Sequence, residues 1–76
     1  MTPQELCEAV HAAVERYVLS RVRPADVLDL DVGVRLEGGD LTVDVFVVTA
    51  VGDDEALARG AVDAAMEEGD RLLGDV

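Results

Sequence analysis

Apolar and polar residues alternate strictly in the middle of the chain. From Leu28 to Leu36, every second side chain is apolar, and the positions between hold polar residues or glycine. A period of two over this length predicts a β-strand with one buried face, spanning about residues 27–37. The alternation resumes after a Gly-Gly pair and predicts a second strand over about residues 40–49.

The Gly-Gly pair fixes how these two strands meet. Gly38 and Gly39 tolerate the positive φ angles of a tight hairpin turn, which sets Glu37 opposite Asp40. Apolar residues then face each other on the inner side, as Leu36 with Leu41, Val34 with Val43, Val32 with Val45 and Leu30 with Val47. Register and pattern therefore agree, and Leu28 is expected to point inward with this set.

A helix is predicted before the hairpin, over about residues 3–21. Thr2, Pro3 and Glu5 form a helix start with a capping box, and Pro24 ends the helix. Its apolar stripe is expected to hold Leu6, Val10, Ala13, Val14 and Tyr17.

A second helix is predicted after the hairpin, over about residues 53–73, with Gly52 or Asp53 as its cap. Its apolar side is expected to hold Ala58, Ala61, Val62, Ala65, Gly69, Leu72 and Leu73. The small residues Ala61, Ala65 and Gly69 recur every four positions, which predicts a shallow groove that lets this helix lie close to a neighbour.

These elements predict one α+β domain over residues 1–76, in the order α-β-β-α. A two-stranded hairpin is marginal alone, so both helices are expected on its apolar face. The other face is then bare, and there Phe46 and Val48 stand where polar residues are due. An alternative is that the end of the strand twists, so that both residues are covered within the chain.

The net charge of −11 narrows the choice of partners. The negative electrostatic field of such a chain repels the phosphate backbones of nucleic acids, which disfavours nucleic-acid binding. All the basic residues are arginine, and an acidic chain without lysine suits a cytosol rich in salt, so we hypothesise a salt-accumulating organism. The sequence begins without a basic or apolar signal segment and has no apolar run near the ~20 residues that span a bilayer. We expect a soluble, cytoplasmic protein.

The opening "TPQELCEAV", the hairpin "GVRLEGGDLTVDVFV" and the acidic closing helix together resemble a small archaeal family of unknown function. The resemblance implies a lone domain with both helices on one side of a hairpin. That fold is similar to a helix-on-hairpin dimerisation domain of a bacterial division-site regulator, and the similarity is one of fold alone. The family brings no substrate, cofactor or catalytic residue.

Three groups of residues are candidates for chemistry. The stretch Asp29 to Gly33 begins like a calcium loop but lacks the later ligands, and strand alternation explains it. The carboxylates Asp29, Asp31 and Asp44 share the bare face, where they are either cation ligands or, as we favour, a solvated surface. Cys7, His11 and Glu15 are spaced four apart and are reasonable zinc ligands without a fourth partner. An isolated cysteine is more often a small core residue.

No phosphate-binding glycine loop or serine-nucleophile motif is present in the sequence. A small two-layer domain also rarely encloses a substrate pocket. We therefore predict a non-enzymatic protein-interaction module without a cofactor, whose contact residues are Phe46 and Val48 and whose partner is another protein or a second copy. The alternative is a metal- or small-ligand-binding protein that uses the strand-face carboxylates or the Cys7/His11 edge.

Overall fold

The computed structural model describes residues 2–74 and gives a helix, a hairpin and a second helix. The elements are α1 (Pro3–Arg21), a single 3-10 turn (Pro24–Asp26), β1 (Val27–Glu37), β2 (Asp40–Thr49) and α2 (Asp54–Gly74). The two strands form one antiparallel sheet. The predicted α+β fold in the order α-β-β-α is confirmed.

Helix α1 begins and ends where its local sequence requires. The Thr2 hydroxyl accepts a hydrogen bond from the Glu5 N–H at 3.2 Å, and Pro3 occupies the first helical position. This arrangement satisfies one of the backbone donors that every helix start leaves unpaired. At the other end the Val22 N–H donates to the Val18 carbonyl at 2.9 Å, and extended backbone follows.

The hairpin has the register expected from its turn. Gly38 and Gly39 have φ angles of 56° and 87°, the left-handed region that this turn requires. Each inner-face pair predicted from the sequence is present: Leu36 with Leu41, Val34 with Val43, Val32 with Val45 and Leu30 with Val47. The inner face is therefore continuous and apolar, and it packs against the helices.

The start of β1 departs from the predicted alternation. Val27 pairs with Thr49 and Asp29 pairs with Val48, so Leu28 is an extra residue in a β-bulge. Val27 and Leu30 both pack against the core, so the two residues between them lie on the outer side. The prediction that Leu28 points inward is wrong, because Leu28 is 65% exposed.

The core lies between the inner face of the hairpin and the two helices. Helix α1 contacts α2 and β1, whereas α2 also contacts β2. Helix α1 buries Leu6, Val10, Ala13, Val14 and Val18, and Tyr17 from the predicted stripe is only half-buried. Helix α2 buries Leu57, Ala61, Ala65 and Gly69. Leu57 was not predicted in the stripe, and Leu73, which was, is exposed.

Two glycines let α2 lie close to its neighbours. A Cβ atom at Gly69 would overlap the Leu41 side chain, so the small-residue groove serves the close approach that the sequence predicted. A Cβ atom at Gly60 would overlap the ring and hydroxyl of Tyr17 on α1. The Gly60 contact was not predicted, because Gly60 lies outside the four-residue spacing of the groove.

A tight connection joins β2 to α2. Gly52 and Asp53 both have positive φ angles, of 83° and 61°, and helix α2 begins at the next residue, Asp54. The Asp53 carbonyl accepts a hydrogen bond from the Leu57 N–H at 3.1 Å. Asp53, one of the two predicted caps, therefore stands directly before the helix.

Candidate interaction surface

The outer side of the hairpin is not covered by either helix, and we call it the open face. It consists of Leu28, Asp29, Asp31, Gly33, Arg35, Thr42, Asp44, Phe46 and Val48. All of these residues are exposed except Val48, which is partly buried. Both helices pack on the inner side, so within residues 2–74 no element lies over this face.

Phe46 is the largest apolar side chain on the open face. It pairs with Asp31 across the hairpin and is 58% exposed. Val48 lies two residues further along β2, on the same side, and pairs with Asp29. The structure thus places both predicted contact residues on one face, with Phe46 more accessible than Val48.

Leu28 adds a third apolar side chain to this end of the open face. The β-bulge places it beside Asp29 on the outer side, next to the pair that Asp29 makes with Val48. We call Leu28, Val48 and Phe46 the apolar patch. Sequence alternation missed Leu28, because one inserted residue shifts a strand's faces without a visible break in the pattern.

Carboxylates surround Phe46 on the same face. Asp31 lies directly across the hairpin, where Cβ atoms are about 5 Å apart, and Asp44 lies two residues along the strand, about 7 Å away. Asp29 is the diagonal neighbour. We call Asp29, Asp31 and Asp44 the carboxylate group. None of the three makes an ion pair with another residue in the described range 2–74.

The open face has a single cation, and a carboxylate already accompanies it. Arg35 pairs with Thr42, four residue pairs from the Asp31–Phe46 pair, toward the turn. Its Nη1 atom is 4.0 Å from Glu37 Oε1, and both side chains are mostly in solvent. Such an exposed pair contributes little to stability.

The candidate metal ligands are not gathered into a site. The stretch Asp29 to Gly33 belongs to β1 and is paired along β2 rather than folded as a loop. On α1, His11 Nε2 lies 3.2 Å from Glu15 Oε1, whereas Cys7 is partly buried. Among the described residues, no group of three or more His, Cys, Asp and Glu side chains is arranged to hold a metal ion.

Two shallow clefts border the helices. One, of about 290 Å³, lies between the end of α1 and the start of α2, where the Arg21 guanidinium stacks 3.9 Å from the centre of the Tyr17 ring. The sequence signal for this stacking was the four-residue spacing of the two side chains, which brings them to one side of a helix. No serine, cysteine or histidine is among the residues that line this cleft.

The second cleft, of about 390 Å³, lies between the middle of α1 and the later part of α2 and is lined by charged side chains. Arg71 Nη2 lies 2.5 Å from Glu68 Oε1. This hydrogen bond lowers the pKa of Glu68, partial burial opposes the shift, and the charges of Arg71 and Arg16 add to it. The lining residues again include no serine, cysteine or histidine.

Neither α1 nor α2, as far as the structure describes them, is long and apolar enough to cross a membrane.

Comparisons with known proteins give one family. A family model described as "Protein of unknown function (DUF3194)" matches residues 3–72. An uncharacterised protein of Natronomonas pharaonis is 39% identical over 73 residues, which cover 95% of this chain and 88% of the relative. An uncharacterised protein of Methanocella arvoryzae is 33% identical over 75 residues, covering 96% of this chain and 95% of the relative. Both organisms are archaea, so the resemblance to an archaeal family is confirmed. No solved structure matches.

Proposed function

This chain belongs to the DUF3194 family, and we propose that it is a non-enzymatic protein-interaction module that binds its partner through the open face. The observation that carries the proposal is the exposure of Phe46, which is 58% exposed at one end of that face. Val48, two residues along the same side of β2, and Leu28, 65% exposed at the neighbouring bulge, extend the apolar surface at this end of the face. Contiguous apolar surface on a small protein is typical of a contact site, whereas isolated apolar residues are not.

The use of aromatic residues supports this proposal. The chain has one phenylalanine, one tyrosine and no tryptophan. Its core is built from valine, leucine and alanine, and the fully buried side chains include no aromatic ring. The only phenylalanine is therefore held outside the core, in a chain that closes its core without one. Aromatic side chains contribute more binding energy at protein interfaces than most other residues.

The clefts favour binding over catalysis. The residues that line the two clefts include no serine, cysteine or histidine, so neither cleft offers a Ser–His or Cys–His nucleophile pair. The family and both relatives are described without an enzymatic activity. A protein-binding role needs only the accessible patch, which lies on the paired strands of the hairpin beside the β-bulge at Leu28.

Site-specific photo-crosslinking tests this function. The chain carries the photoreactive amino acid p-benzoylphenylalanine in place of Phe46, and it is irradiated alone and in native cell extract at molar KCl. A matched protein carries the same group in place of Leu19, an apolar residue of α1 that is 46% exposed. We expect discrete adducts from position 46 only, formed with a second copy or with another protein. The absence of adducts from position 46, or the same adducts from both positions, contradicts the proposal.

A further inference from the structure

We propose that the occupant of the open face is a basic, arginine-bearing apolar segment of another protein rather than a second copy of this chain. The inference rests on the proposed function and names its partner chemistry. It follows from the carboxylate group, Asp29, Asp31 and Asp44, which borders the apolar patch on the same face.

Covering the patch also covers the carboxylates. Asp31 is the direct cross-strand neighbour of Phe46, with Cβ atoms about 5 Å apart, and Asp29 is the direct neighbour of Val48. An occupant that seats on Phe46 and Val48 therefore removes water from both carboxylates. Removing water from an ionised carboxylate is costly unless a cation or hydrogen-bond donor replaces it.

A second copy that pairs open face to open face cannot supply enough cations. Its open face brings three more aspartates and one arginine, and that Arg35 already lies 4.0 Å from Glu37. Two such faces in contact place six carboxylates in one interface, because each copy contributes three. Like charges brought together across an interface disfavour the complex. The overall charge of −11 on each copy adds a repulsion of the same sign.

Arginine is the cation that fits this surface best. Its planar guanidinium donates paired hydrogen bonds to a carboxylate such as Asp31 or Asp44, and it also stacks on an aromatic face such as that of Phe46. Apolar side chains between the arginines cover Leu28 and Val48. Mobile salt screens such contacts less once the interface excludes water, so this recognition is compatible with a salt-rich cytosol.

The test is an NMR titration of the full chain with a defined probe. The probe is a capped Arg-Leu-Arg-Leu-Arg pentapeptide, and the matched probe replaces each arginine by glutamate. We expect the arginine peptide to shift the amide signals of Asp31, Asp44, Phe46 and Val48, and the glutamate peptide to leave them unchanged. No binding of the arginine peptide by the wild-type chain overturns the proposal.

Three variants separate a shaped site from general attraction. Asp31→Asn with Asp44→Asn removes two charges from the open face, and Asp63→Asn with Glu67→Gln removes two from exposed positions on α2. We expect about tenfold weaker peptide binding for the first pair and for Phe46→Ser, and less than about twofold for the α2 pair. Equal weakening by both pairs, or no effect of Phe46→Ser, means attraction by net charge alone and overturns the proposal.

Sedimentation of the same variants decides between the two occupants. We expect Asp31→Asn with Asp44→Asn to leave the sedimentation coefficient of the wild-type chain unchanged. Stronger self-association of this variant means that a second copy fits the face once repulsion is relieved, and that result overturns the proposal. The proposed function then still stands, because adducts from position 46 with a second copy support it. If position 46 forms no crosslinked adducts, that result contradicts the proposed protein-binding function itself.

Discussion

Thr49 and Asp54 tie the end of β2 to the start of α2 through one carboxylate oxygen. The Thr49 hydroxyl donates a 2.6 Å hydrogen bond to Asp54 Oδ1, and the Thr49 N–H donates to the same oxygen at 3.2 Å. Thr49 is the last residue of its strand and is buried, and Asp54 is the first residue of the helix. The two bonds fix the connection that carries the chain from the sheet to the second helix.

Removal of the Thr49 hydroxyl is expected to destabilise the fold. Thr49→Val keeps the shape of the side chain but deletes the 2.6 Å bond and leaves Asp54 with a single donor from this residue. We expect a loss of about 1–2 kcal/mol in the free energy of unfolding, measured by urea denaturation. Thr42→Val is the control, because Thr42 is exposed on the open face, and we expect it to change stability by less than about 0.5 kcal/mol. Equal stability of both variants contradicts this role of Thr49.

Gly60→Ala is expected to destabilise the chain although alanine is the better helix former. Propensity alone favours alanine by up to about 1 kcal/mol in a helix interior. The added Cβ overlaps the ring and hydroxyl of Tyr17, so the ring, on which the Arg21 guanidinium stacks, must shift away from α2. We expect a net loss of about 1–2 kcal/mol, together with a changed fluorescence of the only tyrosine.

Gly74→Ala is the matched control for that experiment. A Cβ atom at Gly74 meets nothing within 4 Å, so we expect unchanged tyrosine fluorescence and no loss of stability. If Gly60→Ala instead stabilises the chain, as helix propensity alone predicts, that result contradicts the close contact between Gly60 of α2 and Tyr17 of α1.

The hairpin was predictable because two independent signals agree there. A Gly-Gly turn fixes which residues face each other, and the alternation fixes which side each residue takes. Both signals place Phe46 and Val48 on the outer side. Leu28 could not be placed in the same way, because a bulge adds a residue without changing the local composition.

Contacts between elements were harder to predict than the elements themselves. Small residues spaced four apart indicated the groove at Gly69, but nothing in the spacing marked Gly60 as the residue under Tyr17. The hydrogen bonds between Thr49 and Asp54 depend on how the connection turns back, which the sequence pattern does not specify. Leu57 is buried beside the predicted stripe for the same reason, since packing geometry decides how wide a stripe is.

Glu68 is expected to make the free energy of unfolding depend on pH in the acid range. Its hydrogen bond with Arg71, aided by the charges of Arg71 and Arg16, lowers its pKa in the folded chain below its value in the unfolded chain. The unfolded chain therefore takes up this proton first as pH falls. The stability that ionised Glu68 contributes is fully present above the pKa of Glu68 in the unfolded chain. It is lost as pH falls through the lower pKa of Glu68 in the folded chain.

Urea denaturation across the acid range checks this dependence. We expect the stability difference between the wild-type chain and Glu68→Gln to be largest near neutral pH and to shrink on acidification. Glu8→Gln on the exposed side of α1 is the control for the loss of one negative charge. A difference that stays constant from neutral to acid pH contradicts the lowered pKa of Glu68.

Salt is expected to stabilise the chain. The net charge of −11 causes repulsion that mobile ions screen, and the screening length falls to about 3 Å at molar salt. We expect the thermal midpoint to rise continuously between about 0.1 M and 1 M KCl. A midpoint that is indifferent to KCl contradicts the hypothesis that this chain is adapted to a salt-rich cytosol.

The free energy of unfolding of Phe46→Ser tests most directly whether Phe46 acts between molecules or within one. Phe46 is 58% exposed on the open face, so we expect the variant to fold and to lose no more than about 1 kcal/mol. Val47→Ala, at the buried neighbouring position, provides the scale of a core change and is expected to cost more. A loss of about 3–5 kcal/mol for Phe46→Ser is the result expected of a core phenylalanine, and it would contradict the account.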